Sequence, residues 1–122
     1  MPKAILIFAH GARDPEWSKP FEQLREAVAT QKPNTKVALA YLEFMQPALP
    51  DALEALIKSG TTEIDIIPAF MAQGGHLKRD LPLLIEAARS RHPNTRLTLQ
   101  PALGEAPAVI AAMAHHIATS TA

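Results

Sequence analysis

Two histidines carry the strongest chemical signal in this sequence, and each follows an apolar run. "IFAHGARDPEW" (7–17) places His10, Gly11 and Arg13 directly behind Ile7, Phe8 and Ala9. "MAQGGHLKRD" (71–80) brings Gly74, Gly75, His76, Lys78 and Arg79 behind a second run, and Glu43 stands behind a third. Two imidazoles and a carboxylate are the ligand types of a borderline divalent-metal site, with positions left for water or a substrate. The chain has no cysteine, which excludes disulfides, thiolate nucleophiles and thiolate metal sites. Any metal must be held through nitrogen and oxygen. No short zinc motif is present: there is neither HExxH nor a pair of histidines at i, i+4. Position in the fold therefore has to carry the argument.

Each of these residues also has a plainer use. His10 could be a hydrogen-bonded turn residue and Glu43 a solvated loop carboxylate. Gly74-Gly75 could supply positive φ in a sharp turn. Arg13 could pair with Asp14 or Glu16. Lys78-Arg79-Asp80 could be an ordinary polar helix start, although cations there oppose the helix dipole, which favours an anion-binding role. His92, before Pro93, sits at an expected helix end that suits an imidazolium. His115 and His116 are adjacent on the last helix and cannot share a face. Trp17, Met45 and Met71 read as packing residues near the crevice, and Tyr41 as a strand residue.

The elements that must position these groups follow from periodicity. Four apolar, β-rich runs, "AILIFA" (4–9), "KVALAYL" (36–42), "EIDIIPAF" (63–70) and "RLTLQPAL" (96–103), alternate with four stretches of helical period. Runs apolar on both faces suit parallel strands covered by helices on both sides. In the third run Glu63 and Asp65 alternate with Ile64 and Ile66, so one end should be less covered. Helical spacing recurs in Phe21, Leu24 and Val28; in Leu49, Leu53, Leu56 and Ile57; in Leu81, Leu84, Ile85 and Ala88; and in Val109, Met113 and Ile117. Asp14-Pro15 and Gln46-Pro47 read as caps with proline at the first helical position, and Gly60 as a helix stop. "PNTKVAL" (33–39) and "PNTRLTL" (93–99) read as one helix-to-strand device used twice.

The order βαβαβαβα predicts an α/β three-layer sandwich around an open, four-stranded parallel sheet with right-handed crossovers. Ligands bind such sheets outside the carboxyl ends of the strands, where the strand order reverses. A flavodoxin-related order of 2-1-3-4 makes the first and third strands neighbours, bringing His10 and His76 across one crevice.

Length and composition agree. The 122 residues suit a single domain, 1–122, and 48% hydrophobic residues suffice for a core. Twelve basic and twelve acidic residues give a formal net charge of zero, which argues against general nucleic-acid binding. The start reads as neither signal peptide nor membrane span, so a cytoplasmic protein without membrane association is expected.

"FAHGARDP", "YLEFMQPALPDAL" and "IIPAFMAQGGHLKRDLP", in this order and spacing, resemble the small sirohydrochlorin chelatases of the CbiX/SirB type, and the likeness spans essentially the whole chain. Ala12 stands where the family commonly has serine. The resemblance implies a chelatase-like fold and ATP-independent insertion of a divalent metal into sirohydrochlorin, on routes to cobalamin or sirohaem. Co²⁺ is favoured as the metal substrate, with Fe²⁺ (a sirohydrochlorin ferrochelatase) or Ni²⁺ as alternatives, and no organic cofactor is implied. It matches His10 and His76 to the metal-site histidines and Glu43 to the nearby acidic residue, all three catalytic. Gly74, Gly75, Arg13, Lys78 and Arg79 become candidates to contact the tetrapyrrole, the cations through its carboxylates. It further implies a homodimer.

The chemistry is consistent with that set. Insertion needs a donor that releases its ion and an acceptor for two pyrrole protons, and an imidazole with a free pKa of about 6.5 can serve either purpose. One lone pair cannot do both at once. Rival readings are a non-catalytic metal or tetrapyrrole carrier, a phosphohistidine enzyme and a mononucleotide binder. Ala9 stands where a phosphohistidine enzyme has its arginine, and the first turn lacks a phosphate-cradling run of glycine, serine and threonine.

Overall fold

Residues 2–122 are described by a computed structural model. Strand β1 (Lys3–Ala9) leads through a 3₁₀ turn (Pro15–Ser18) to helix α1 (Lys19–Gln31); β2 (Lys36–Tyr41), α2 (Leu49–Lys58), β3 (Glu63–Pro68) and α3 (Gly75–Arg91) follow. Strand β4 (Arg96–Leu99), a second 3₁₀ turn (Leu103–Glu105) and α4 (Pro107–Ser120) complete the chain. The sheet is parallel throughout, in the order β2-β1-β3-β4, with Ile7 opposite Leu39 on one side and Ile67 on the other. The expected alternation and strand order are both present. No helix of the described residues is long and apolar enough to cross a membrane.

The two faces of the sheet are covered differently. On one, Ala4, Leu6, Phe8, Ile64 and Ile66 pack with Leu49, Leu53 and Leu56 of α2 and Leu81, Ile85 and Ala88 of α3. A fully buried Leu or Ile side chain contributes about 1.5–3 kcal/mol by its removal from water, so this face holds most of the stabilising burial. On the other face Ile7, Ala9, Leu39 and Tyr41 meet Trp17, Phe21 and Leu24. Glu63 is half-buried and Asp65 exposed, as their alternation with Ile64 and Ile66 predicts.

Several boundaries differ from the sequence reading. β3 ends at Pro68 rather than Phe70, and β4 at Leu99 rather than Leu103. The Gln100 amide donates to the Ile66 carbonyl at 2.9 Å, and the next residue, Pro101, has no N–H to extend the ladder. Asp14 does cap, accepting from the Glu16 amide at 3.0 Å, but what it starts is the first 3₁₀ turn, with α1 beginning at Lys19. Gln46-Pro47 is a cis peptide and caps nothing; α2 starts at Leu49 behind Ala48.

The fourth helix departs most from expectation. α4 buries none of its residues. Only Val109 and Met113 are half-buried, while Ile110 and Ile117 are 49% and 61% exposed. Its sequence is apolar on most sides and rich in alanine, so no single stripe selects the sheet as its partner.

Candidate functional site

Three connections leave the carboxyl ends of β1, β2 and β3 at one rim, and close backbone contacts fix them there. Gly11 turns the chain out of β1 at φ +90, and a Cβ on it would lie 1.9 Å from the Glu43 carbonyl oxygen. Only glycine permits this approach. The Glu43 amide donates to the His10 carbonyl at 3.1 Å, so the exits of β1 and β2 are tied together. Gly104 plays the matching part at the next exit. Its amide donates to the Phe70 carbonyl at 2.8 Å, and a Cβ there would sit 2.1 Å from the Met71 carbonyl oxygen.

Between these pinned segments lies a cavity of about 360 Å³ lined by His10, Leu42, Phe70, Gly74, Gly75, His76, Leu77 and Asp80, with Ala72 beside them. His10 stands edge-on to the Phe70 ring, with ring centroids 5.9 Å apart. Its Nε2 is 3.7 Å from Glu43 Oε1, both side chains being about half exposed. That separation is an ion-pair distance and too long for a hydrogen bond, so neither the His10 ring nitrogen nor the Glu43 oxygen is engaged by the other.

His10, His76, Gly74 and Gly75, all expected at the site, thus share one cavity, and Glu43 adjoins it through His10. Among the described residues no three His, Asp or Glu side chains form a metal-holding group. His10, His76 and Glu43 thus stand at one rim in an open arrangement. Gly74 and Gly75 depart from expectation. Neither has positive φ: Gly74 is the N-cap of α3 at φ −70, and open space surrounds the Cβ position of both. They leave the cavity wall bare instead of making a sharp turn.

The three cations lie outside this lining. Arg13 pairs with neither Asp14 nor Glu16; its guanidinium lies over the Phe44 ring, 4.6 Å from the centroid. Lys78 and Arg79 are exposed on the first turns of α3. Met71 is exposed as well, and only Trp17 and Met45 of the expected packing residues join a core cluster. Tyr41 is buried in β2; burial first, and the Glu22 carboxylate second, push its phenol above the usual range, so it packs as a neutral group.

Sequence reasoning missed Asp80 as a site residue. It lies four positions after His76 on the same helix, which puts the two on one face, and it lines the cavity with that histidine. The signal was present, but the apolar period of this helix begins only at Leu81. The helix itself starts at Gly75 and so carries both groups. The apolar walls formed by Leu42, Phe70 and Leu77 had no signature beyond hydrophobicity.

An open parallel sheet with an imidazole- and carboxylate-lined cavity at its switch point defines an α/β protein built for a ligand at the strands' carboxyl rim. The CbiX family profile matches residues 4–120, and the chain belongs to that family. It is 30% identical over 90 residues to the sirohydrochlorin cobaltochelatase of Methanocaldococcus jannaschii, covering 74% of this chain and 63% of that protein. It is 26% identical over 117 residues to the sirohydrochlorin ferrochelatase of Bacillus subtilis, covering 96% of this chain and 45% of that one. The crystal structure of a CbiX protein from Marinobacter aquaeolei VT8 superposes with a TM-score of 0.83 at 29% identity, covering 98% of this chain and 97% of the other. The chain thus spans less than two thirds of these two curated relatives.

Proposed function

We propose that this chain, acting as one chelatase-like domain over residues 1–122, inserts a divalent metal into sirohydrochlorin without ATP. Cobalt is the favoured ion, iron the next and nickel a third. The observation that carries this reading is the shared cavity: His10 from the β1 exit and His76 from α3 line it together, with Glu43 3.7 Å from His10. The names of the relatives, cobaltochelatase and ferrochelatase, agree with it.

The metal is a substrate here. One M²⁺ enters, two pyrrole protons leave, and no electrons move. His10 and His76 present the ion through their ring nitrogens, and an open, partly aqueous set of donors suits an ion that must be surrendered. Glu43 completes the set or relays protons. Asp80, a second carboxylate on the wall, can accept a pyrrole proton while the imidazoles are occupied. Arg13, Lys78 and Arg79 hold peripheral carboxylates, and the bare Gly74-Gly75 wall admits the macrocycle edge.

Metal-free sirohydrochlorin mixed with Co²⁺ or Fe²⁺ provides the test, followed by the visible spectrum. Many turnovers per protein are expected, fastest with Co²⁺. A stoichiometric complex without turnover would make the chain a carrier. We further propose that it acts in the cytoplasm as a homodimer. The uncovered apolar surface of α4, with Ile110 and Ile117 exposed, supports the pairing. Sedimentation equilibrium should give twice the 13.2 kDa chain mass, and a monomer at micromolar concentration would overturn the dimer.

A further inference from the structure

Phe44 combines two unfavourable features in the connection that carries Glu43. It is the described non-glycine residue with positive φ, at 65, and it is 57% exposed. The Met45 amide donates to the Glu43 carbonyl at 2.8 Å across it. A bond from i+2 to i around a positive-φ residue is the rare, strained form of the γ-turn. Bulky side chains are outliers in that region, which glycine and asparagine occupy more readily.

The surrounding backbone holds the turn in place. The Glu43 carbonyl that closes it lies against Gly11, and the Glu43 amide is tied to His10. The chain leaving β2 is thus fixed one residue before Phe44, and the turn projects the aromatic ring outward. There it meets Arg13, whose guanidinium carbon lies 4.6 Å from the ring centroid. Strained backbone held by its surroundings is found preferentially at ligand clamps and active sites.

The size of the ligand gives the ring a purpose. A cavity of 360 Å³ is at the small end of the range of about 300–1,000 Å³ that encloses drug-sized molecules. A tetrapyrrole with a carboxylate on each of several arms is larger, so part of it must rest outside on the rim. Arg13 and Phe44 stand on the two connections that the Glu43 amide ties together at the His10 carbonyl, three residues from His10 and one from Glu43.

We propose that Phe44 is a substrate-positioning residue. Its ring fixes the plane of the Arg13 guanidinium, and the pair receives one carboxylate-bearing arm of the macrocycle at the rim. Stacking on the ring face leaves the guanidinium edge free for a two-pronged bond to that carboxylate. This inference rests on the chelatase reading for the identity of the macrocycle, but the binding itself can be measured without metal insertion.

Metal-free sirohydrochlorin is titrated into the protein and its fluorescence followed. Phe44→Leu, which keeps bulk but loses the aromatic face, should weaken binding about fivefold or more, and Phe44→Tyr should restore it. In the insertion assay Phe44→Leu should raise KM with kcat nearly unchanged. In an Arg13→Ala background the Phe44→Leu change should have little further effect. Phe44→Asn relieves the turn and should match or exceed the wild-type Tm while binding as weakly as the leucine variant, an outcome a purely structural residue would not give. Equal binding by wild type and Phe44→Leu overturns the inference, as does failure of wild type to bind the macrocycle. Ring-dependent binding without any turnover would overturn the chelatase reading and leave this one standing.

Discussion

Two histidine–glutamate pairs, made of the same residue types, are used in opposite ways in this molecule. At the far end of α3, His92 Nε2 is hydrogen-bonded to Glu54 Oε1 of α2 at 2.8 Å, with Arg91 Nε adding a contact at 3.4 Å. The bond from His92 is the main cause holding the Glu54 carboxyl below its ordinary range. At the cavity, His10 and Glu43 stand 3.7 Å apart without a hydrogen bond. The first pair has satisfied its acceptor and fastens one helix to another. The second keeps its lone pairs available. A clasp needs closed geometry, whereas a site proposed to take up and give away an ion needs open geometry; the backbone contacts at Gly11 and Glu43 hold the two exits together and leave both side chains half exposed.

The largest effect that can test this contrast comes from the open pair and its partner across the cavity. His10→Ala and His76→Ala should each lower metal insertion by about 100-fold or more, the lower range for a positioned proton-transfer group. Circular dichroism should remain that of wild type, because neither side chain belongs to the buried core. Full activity in either purified variant would remove the mechanism.

A smaller effect separates the two carboxylates. Glu43→Gln should reduce insertion about tenfold, as loss of a supporting group at a metal site does, whereas Glu54→Gln should leave insertion unchanged. If both variants lost activity equally, the division between clasp and site would collapse.

The smallest effect lies in stability. Because the folded-state pKa of Glu54 is depressed, the stabilisation from its ionised form is present above the ordinary carboxylate pKa. It is lost as pH falls through the lowered value. Melting curves of wild type and Glu54→Gln should therefore differ most near neutral pH and converge in acid. A gap that stayed constant across the range would show that His92 and Arg91 do not act through this carboxylate's charge.

Much of the fold was legible because strands and helices are written in local patterns. The run Ile5-Leu6-Ile7-Phe8 announced a strand covered on both faces, and Leu49, Leu53 and Leu56 announced one buried helix face; both are as expected. His10, His76 and Glu43 were legible as strand-exit residues, and the strand order then brought them to one rim. Legibility failed where two readings shared one local signal. Gly74-Gly75 looked like a turn and is a bare wall at a helix start. Gln46-Pro47 looked like a helix cap and lies in the connection before α2. α4 has helical apolar spacing at Val109, Met113 and Ile117, yet its apolar character is spread too widely to point to one neighbour.

The order of elements, the parallel character of the sheet and the polar residues leaving each strand are readable from the amino-acid pattern alone. These depend on residues within a few positions of one another, whose periodicity and turn chemistry act locally. It took the folded chain to set His10 and His76 on one cavity wall, to hold His10 and Glu43 at a distance too long to bond, and to turn Phe44 outward under Arg13. Those relations join groups from separate connections. Their spacing is set by the sheet order and by two backbone approaches, at Gly11 and Gly104, that no local pattern encodes.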